Sequence, residues 1–83
     1  MQHAFVESTI LRSAGHNAQS AILELQFRNG AVYRYMPVPP WVYRDLLGAR
    51  SKGAYFNHNI RGRYAYQRVQ GASSLRAQRP QST

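Results

Sequence analysis

Residues 21 to 36, AILELQFRNGAVYRYM, constrain the fold more than any other stretch of the chain. Leu23, Leu25 and Phe27 fall on one side of an extended backbone and Ile22, Glu24 and Gln26 on the other, which is the period of a half-buried strand. Asn29-Gly30 then punctuates, and a second run to Met36 keeps Tyr33 and Tyr35 in phase. Two strands joined this tightly make an antiparallel hairpin, and its register can be derived. A two-residue Asn29-Gly30 loop would set Leu25 opposite Arg34 and leave both tyrosines beside Glu24 and Gln26. A three-residue loop, Arg28-Asn29-Gly30 with Gly30 left-handed, sets Phe27 against Ala31, Leu25 against Tyr33 and Leu23 against Tyr35. The second register gathers every large apolar group on one face, so it is the one expected.

Around the hairpin the remaining elements follow from local signals. Ser8 to about Gly15 reads as a first strand with Ile10 inward, and Gly15 to Ser20, GHNAQS, as a turn. Proline cannot continue a central strand but suits a first helical turn, so Pro39 or Pro40 opens a helix to about Arg50. Its inward stripe is Val42, Leu46 and Leu47, with Trp41 and Tyr43 at the margins. A second helix starts near Ser51, capped by its hydroxyl, and ends before Gly62, with Phe56 and Ile60 inward. Residues 64 to 69, YAYQRV, alternate again and admit a short C-terminal strand whose Tyr64 and Tyr66 pack on Phe56 or the sheet. The fold class is therefore α+β: an antiparallel meander of about three strands followed by two short helices on one face. Residues 1–7 are a lead, 8–68 a single domain, and 69–83, without periodic hydrophobicity, a flexible basic tail.

A chain of 83 residues holds one small core, and with no cysteine nothing covalent supplements it. The absence of cysteine fits a reducing compartment. No leading basic cluster or long apolar run is present, so a soluble, cytoplasmic protein and a monomer are expected, with no membrane partner.

At SKGAYFN, together with VYRY and VPPWVY, the sequence resembles the KTSC domain, a family known at the C-terminus of some lysyl-tRNA synthetases and in stand-alone bacterial and phage proteins. The resemblance runs over roughly residues 8 to 68. It rests on Leu23, Leu25 and Phe27; on Gly30, Tyr33 and Tyr35; and on Val38 and Pro39. It continues through Ser51, Gly53, Tyr55, Phe56 and Asn57 to Ile60, Arg61, Tyr64 and Tyr66. Where the family often has a Tyr-Asp pair, this chain has His16-Asn17. The resemblance implies the same small fold and RNA binding.

Charge narrows the function further. Eleven Lys and Arg stand against three Asp and Glu, a net charge of +8, and every cation but Lys52 is arginine. Guanidinium groups pair bidentately with phosphate and stack on flat rings. With so few acids, the arginines cannot be buried in pairs and must face solvent or a partner. Enzymatic chemistry is poorly supplied. Glu7, Glu24 and Asp45 form no evident acid pair, and no serine sits in a G-x-S-x-G elbow. His3, His16 and His58 lack a ligand spacing, so neither catalysis, a metal nor another cofactor is expected.

The expected function is a small basic accessory module that binds nucleic acid, RNA ahead of DNA, through an arginine-rich face. The candidate contacts are Arg44, Arg50, Lys52, Arg61, Arg63 and Arg68, with Trp41 and Tyr55 for base stacking. Ser51, Lys52 and Gly53 at a helix start could take a phosphate. The competing structural reading is that Ser51 caps the helix, Gly53 permits close packing, and Asn57 ties two backbone segments together. The alternative function is a protein-interaction module that docks its arginine face on an acidic partner, as in a phage or bacterial regulatory protein.

Overall fold

The structure is a computed structural model that describes residues 2–69; the basic tail expected over 69–83 lies outside the described residues apart from Val69. Its elements in order are β1 (His3–Phe5), β2 (Leu11–Asn17), β3 (Ile22–Phe27), β4 (Val32–Met36), α1 (Pro40–Gly48), α2 (Lys52–Asn59) and β5 (Ala65–Val69). The strands form one antiparallel sheet in the order β1-β2-β3-β4-β5, so every neighbour in sequence among the strands is a neighbour in space. This is an α+β fold, with five strands where the sequence pattern showed about three and a short C-terminal one.

The β3–β4 hairpin takes the bulged register. Leu23 pairs with Tyr35 and Leu25 with Tyr33, the Phe27 amide donates to the Ala31 carbonyl at 2.8 Å, and Gly30 has φ +93°. Only this register puts Leu23, Leu25 and Tyr35 together beneath the helices, where they are buried. At α1, Pro39 is the N-cap and Pro40 the first helical residue, and Val42 and Leu46 face the core. The Ser51 hydroxyl accepts from the Ala54 amide at 3.2 Å and starts α2, which places Phe56 and Ile60 inward. Leu11, Leu23, Leu25, Val38, Val42, Leu46 and Ile60 are the largest fully buried apolar side chains among the described residues. Each stabilises the fold by about 1.5–3 kcal/mol relative to exposure.

Two features differ from the sequence reading. The first strand begins at Leu11 rather than Ser8 and runs on to Asn17, through half of the expected turn. The Ser8 hydroxyl accepts from the amides of Ile10 and Leu11, each at 3.2 Å, a local turn ahead of the strand, and the Ile10 carbonyl accepts from the Arg28 amide at 2.9 Å. A register shift between Leu11 and Ser13 then bulges Arg12. The bulge changes the phase of the strand, so Leu11, not Ile10, shares the inner face with Ala14 and is fully buried. The second difference is β1 itself, formed by residues expected only to lead in. His3 pairs with Gly15 and Phe5 with Ser13, which adds an edge strand on the far side of β2.

His16 and Asn17 both have structural contacts. The His16 Nε2 lies 2.7 Å from the Val38 carbonyl, and its ring stacks on Tyr43 with centroids 5.7 Å apart. The Asn17 side-chain oxygen accepts from the Gln19 and Ser20 amides and shapes the β2–β3 turn. No helix among the described residues is long and apolar enough to cross a membrane.

Candidate nucleic-acid interface

The helices do not cover the whole inner face of the sheet. α2 sets Phe56 against Phe27 and Tyr35, with ring centroids at 5.3 and 5.8 Å, but β5 extends past it. Tyr35 pairs with Tyr66 and Tyr33 with Arg68, so these β5 side chains lie on the same face as the core. Tyr66 is nevertheless 63% exposed. What remains between β5, α2 and the β3–β4 loop is an open groove of about 830 Å³, within the range that holds a ligand of roughly 300–1,000 Å³.

Its floor is aromatic. Tyr33 packs edge-on to Phe27 at 5.6 Å, and the Tyr66 ring is tilted over both Tyr33 and Tyr35 at 5.5 and 5.6 Å. Its rim is cationic, with Arg28, Arg61 and Arg68. The Arg68 guanidinium carbon lies 6.0 Å from the Tyr33 ring centroid, a cation–π distance. Thr9, Asn29 and Asn57 complete the polar lining, and no carboxylate is part of it. Burial, reinforced by Tyr33 and Tyr66 and opposed by the charge of Arg61, pushes the Tyr35 phenol up to about 12.

Of the residues singled out from sequence, the groove brings together Arg61 and Arg68. Arg44 and Arg50 are exposed on and after α1, and Trp41, at the start of that helix, is 52% exposed. The Tyr55 side chain packs partly against the core, its phenol pushed up by burial and by Asp45. The Arg63 Nε donates to the His58 carbonyl at 3.0 Å. At the start of α2 the Lys52 ammonium turns back to the Ala49 carbonyl at 2.7 Å. A β-carbon on Gly53 would come within 3.3 Å of the Ile10 side chain, so the glycine makes room for that contact. Asn57 does not tie two segments together; it is exposed and lines the groove. Tyr66 packs on the sheet as expected but with most of its surface open. Sequence reasoning missed Arg28, Tyr33 and Tyr66 as groove residues; the phase match of Tyr33 and Tyr35 with Tyr64-Ala65-Tyr66 was the available signal.

The opposite face of the sheet carries the other polar cluster. His3 bridges Ser13 and Glu24, with Nδ1 to the Ser13 hydroxyl at 2.7 Å and Nε2 to the Glu24 carboxylate at 2.6 Å. Arg34 donates to the second Glu24 oxygen at 2.7 Å. A serine, a histidine and a carboxylate in a row have the order of a hydrolytic triad. Here Ser13 is only 2% exposed and its hydroxyl donates to the Gln26 side chain at 3.1 Å, so the chain ties β1, β2, β3 and β4 together. Burial raises the Glu24 carboxyl, but the hydrogen bonds and charges of Arg34 and His3 outweigh it and hold the carboxyl below its ordinary value. Among the described residues no cluster of His, Asp and Glu could hold a metal ion.

An antiparallel meander with two helices on one face and an open aromatic groove defines a small α+β domain of a recurrent kind. Residues 7–64 match the family model of the KTSC domain, and the chain belongs to that family. The crystal structure of a KTSC domain protein from Yersinia pestis is similar, with a TM-score of 0.78 and 32% identity over 82% of this chain and 96% of that one. An uncharacterized protein of Stutzerimonas stutzeri is 41% identical over 70 residues, which is 83% of this chain and 99% of that protein. A lysine–tRNA ligase of Nostoc punctiforme is 33% identical over 63 residues, 76% of this chain but 11% of the ligase.

Proposed function

We propose that this domain binds single-stranded nucleic acid, RNA in preference to DNA, in the groove between β5 and α2. The observation that carries the reading is the composition of that groove: five aromatic side chains on its floor and walls, three arginines at its rim, and no carboxylate. Exposed rings on a sheet face stack bases, and arginines neutralise the phosphates between them. A duplex offers no unstacked base to such a floor. The similarity of the chain to a segment of a lysine–tRNA ligase supports RNA over DNA.

Filter binding of a short single-stranded RNA at rising salt tests the reading. Affinity should fall with salt, with a logarithmic slope of about 0.7 for each phosphate neutralised on a single strand. The double substitution Arg61→Ala, Arg68→Ala should weaken binding and flatten the slope, whereas Arg34→Ala, on the opposite face, should do neither. Absent or salt-insensitive binding sinks the proposal. A partner captured equally well after nuclease treatment would favour an acidic protein in the same groove.

A further inference from the structure

Tyr35 is 4% exposed yet lines the groove. Among the described residues no hydrogen bond uses its hydroxyl, which feels only burial and its charged or phenolic neighbours. A buried hydroxyl without a protein partner is destabilising, and one facing a cavity calls for a partner from outside the chain. With the phenol pushed up to about 12, the group keeps its proton and can donate.

Arg61 is near enough for its charge to act on the Tyr35 phenol, and the polar side chains farther along the groove are mostly donors too. The Asn29 side-chain oxygen is engaged by the Ala31 amide at 2.9 Å, which leaves its NH2 as the group free to offer. Arg28 commits Nε to the Ser8 carbonyl at 2.6 Å and keeps its terminal nitrogens. Arg61 and Arg68 are donors only. With no carboxylate in the lining, free acceptors are few: the Asn57 amide, the Thr9 hydroxyl and the phenol oxygens.

Resting on the proposed nucleic-acid reading, we infer that the groove selects a base by its acceptors, with the Tyr35 hydroxyl and Arg61 taking guanine in preference to adenine. Guanine presents O6 and N7 as adjacent acceptors, whereas adenine places an amino group where O6 would be and would oppose donor to donor. The two purines stack on Tyr66 equally well, so the comparison isolates the base edge from the aromatic floor.

The test uses cytidine pentamers with one central purine and fluorescence anisotropy at low salt. The guanosine pentamer should bind roughly tenfold more tightly than the adenosine one. Inosine, which keeps O6 and N7, should behave as guanosine, and 7-deazaguanosine should lose part of the advantage. Tyr35→Phe removes a hydroxyl that no protein group uses, so the fold should melt at an equal or higher temperature. In that variant the guanosine preference should narrow. Equal binding of the two purines, or a preference untouched by Tyr35→Phe, overturns the inference while leaving the groove a binding site. Failure of both pentamers to bind overturns the nucleic-acid reading and the inference with it.

Discussion

Replacing Glu24 with Gln isolates the cluster that joins β1 to the rest of the sheet. Glu24 accepts from His3 at 2.6 Å and from Arg34 at 2.7 Å, one bond to each carboxylate oxygen. A glutamine keeps the shape but has one oxygen, so one donor meets an NH2 group instead. Hydrogen bonds to a charged group contribute about 1.5–3 kcal/mol when shielded, and surface pairs only about 0.2–1 kcal/mol. The Arg34 side chain is 45% exposed and belongs to the second class; the His3 and Glu24 side chains, at 24% and 14%, are nearer the first. The expected cost is about 2 kcal/mol. In a domain this small, that lowers the melting temperature by roughly 8–16 °C. The pH dependence follows from the depressed carboxyl of Glu24. A group whose folded value lies below its unfolded one contributes stability above the unfolded value and loses it as pH falls through the folded value. Thermal melts followed by circular dichroism should therefore show a gap between parent and Glu24→Gln at neutral pH that closes in acid. An unchanged melting temperature at neutral pH, or a gap of constant size into the acid range, would refute the reasoning.

Other substitutions probe the elements that position the groove. Gly30→Ala meets no atom within 4 Å, so its cost is that of forcing a side chain to φ +93°, about 1–2 kcal/mol by urea denaturation. A neutral result there would show that the loop relaxes out of the left-handed region. Ser51→Ala removes the acceptor of the Ala54 amide and should cost about 1 kcal/mol. Because Lys52 holds the Ala49 carbonyl independently, affinity for RNA should change little unless the helix start itself takes a phosphate.

The hairpin was legible because period and loop chemistry agree: only one register unites Leu23, Leu25, Tyr33 and Tyr35, and Gly30 can supply the left-handed residue it needs. The helices were legible for a similar reason, since Pro40 and Ser51 mark starts that the apolar spacing then continues. β2 was read out of phase because a bulge is invisible to a strict period of two. Once Arg12 is set aside, Leu11 and Ala14 fall on one face. β1 was missed because three residues are too few to show alternation, and its pairing depends on Ser13 and Glu24, distant in sequence. The groove was half legible. Arg61 and Arg68 stood out by charge, but Tyr66 was read as packing, because whether a tyrosine on an inner face is covered depends on how far the helices reach. Arg28 sits in a hairpin loop, and it lines one groove with Arg68 only because β5 pairs with β4.

A nuclear magnetic resonance titration of the labelled protein with the single-guanosine pentamer tests the central claim most directly, when followed on side-chain rather than backbone signals. The account predicts shifts in the Nε signals of Arg28, Arg61 and Arg68, the Asn29 and Asn57 amides and the Tyr66 ring, while Arg34, Arg44 and Arg50 stay still. Movement of Arg34, Arg44 and Arg50 with a silent groove would contradict it.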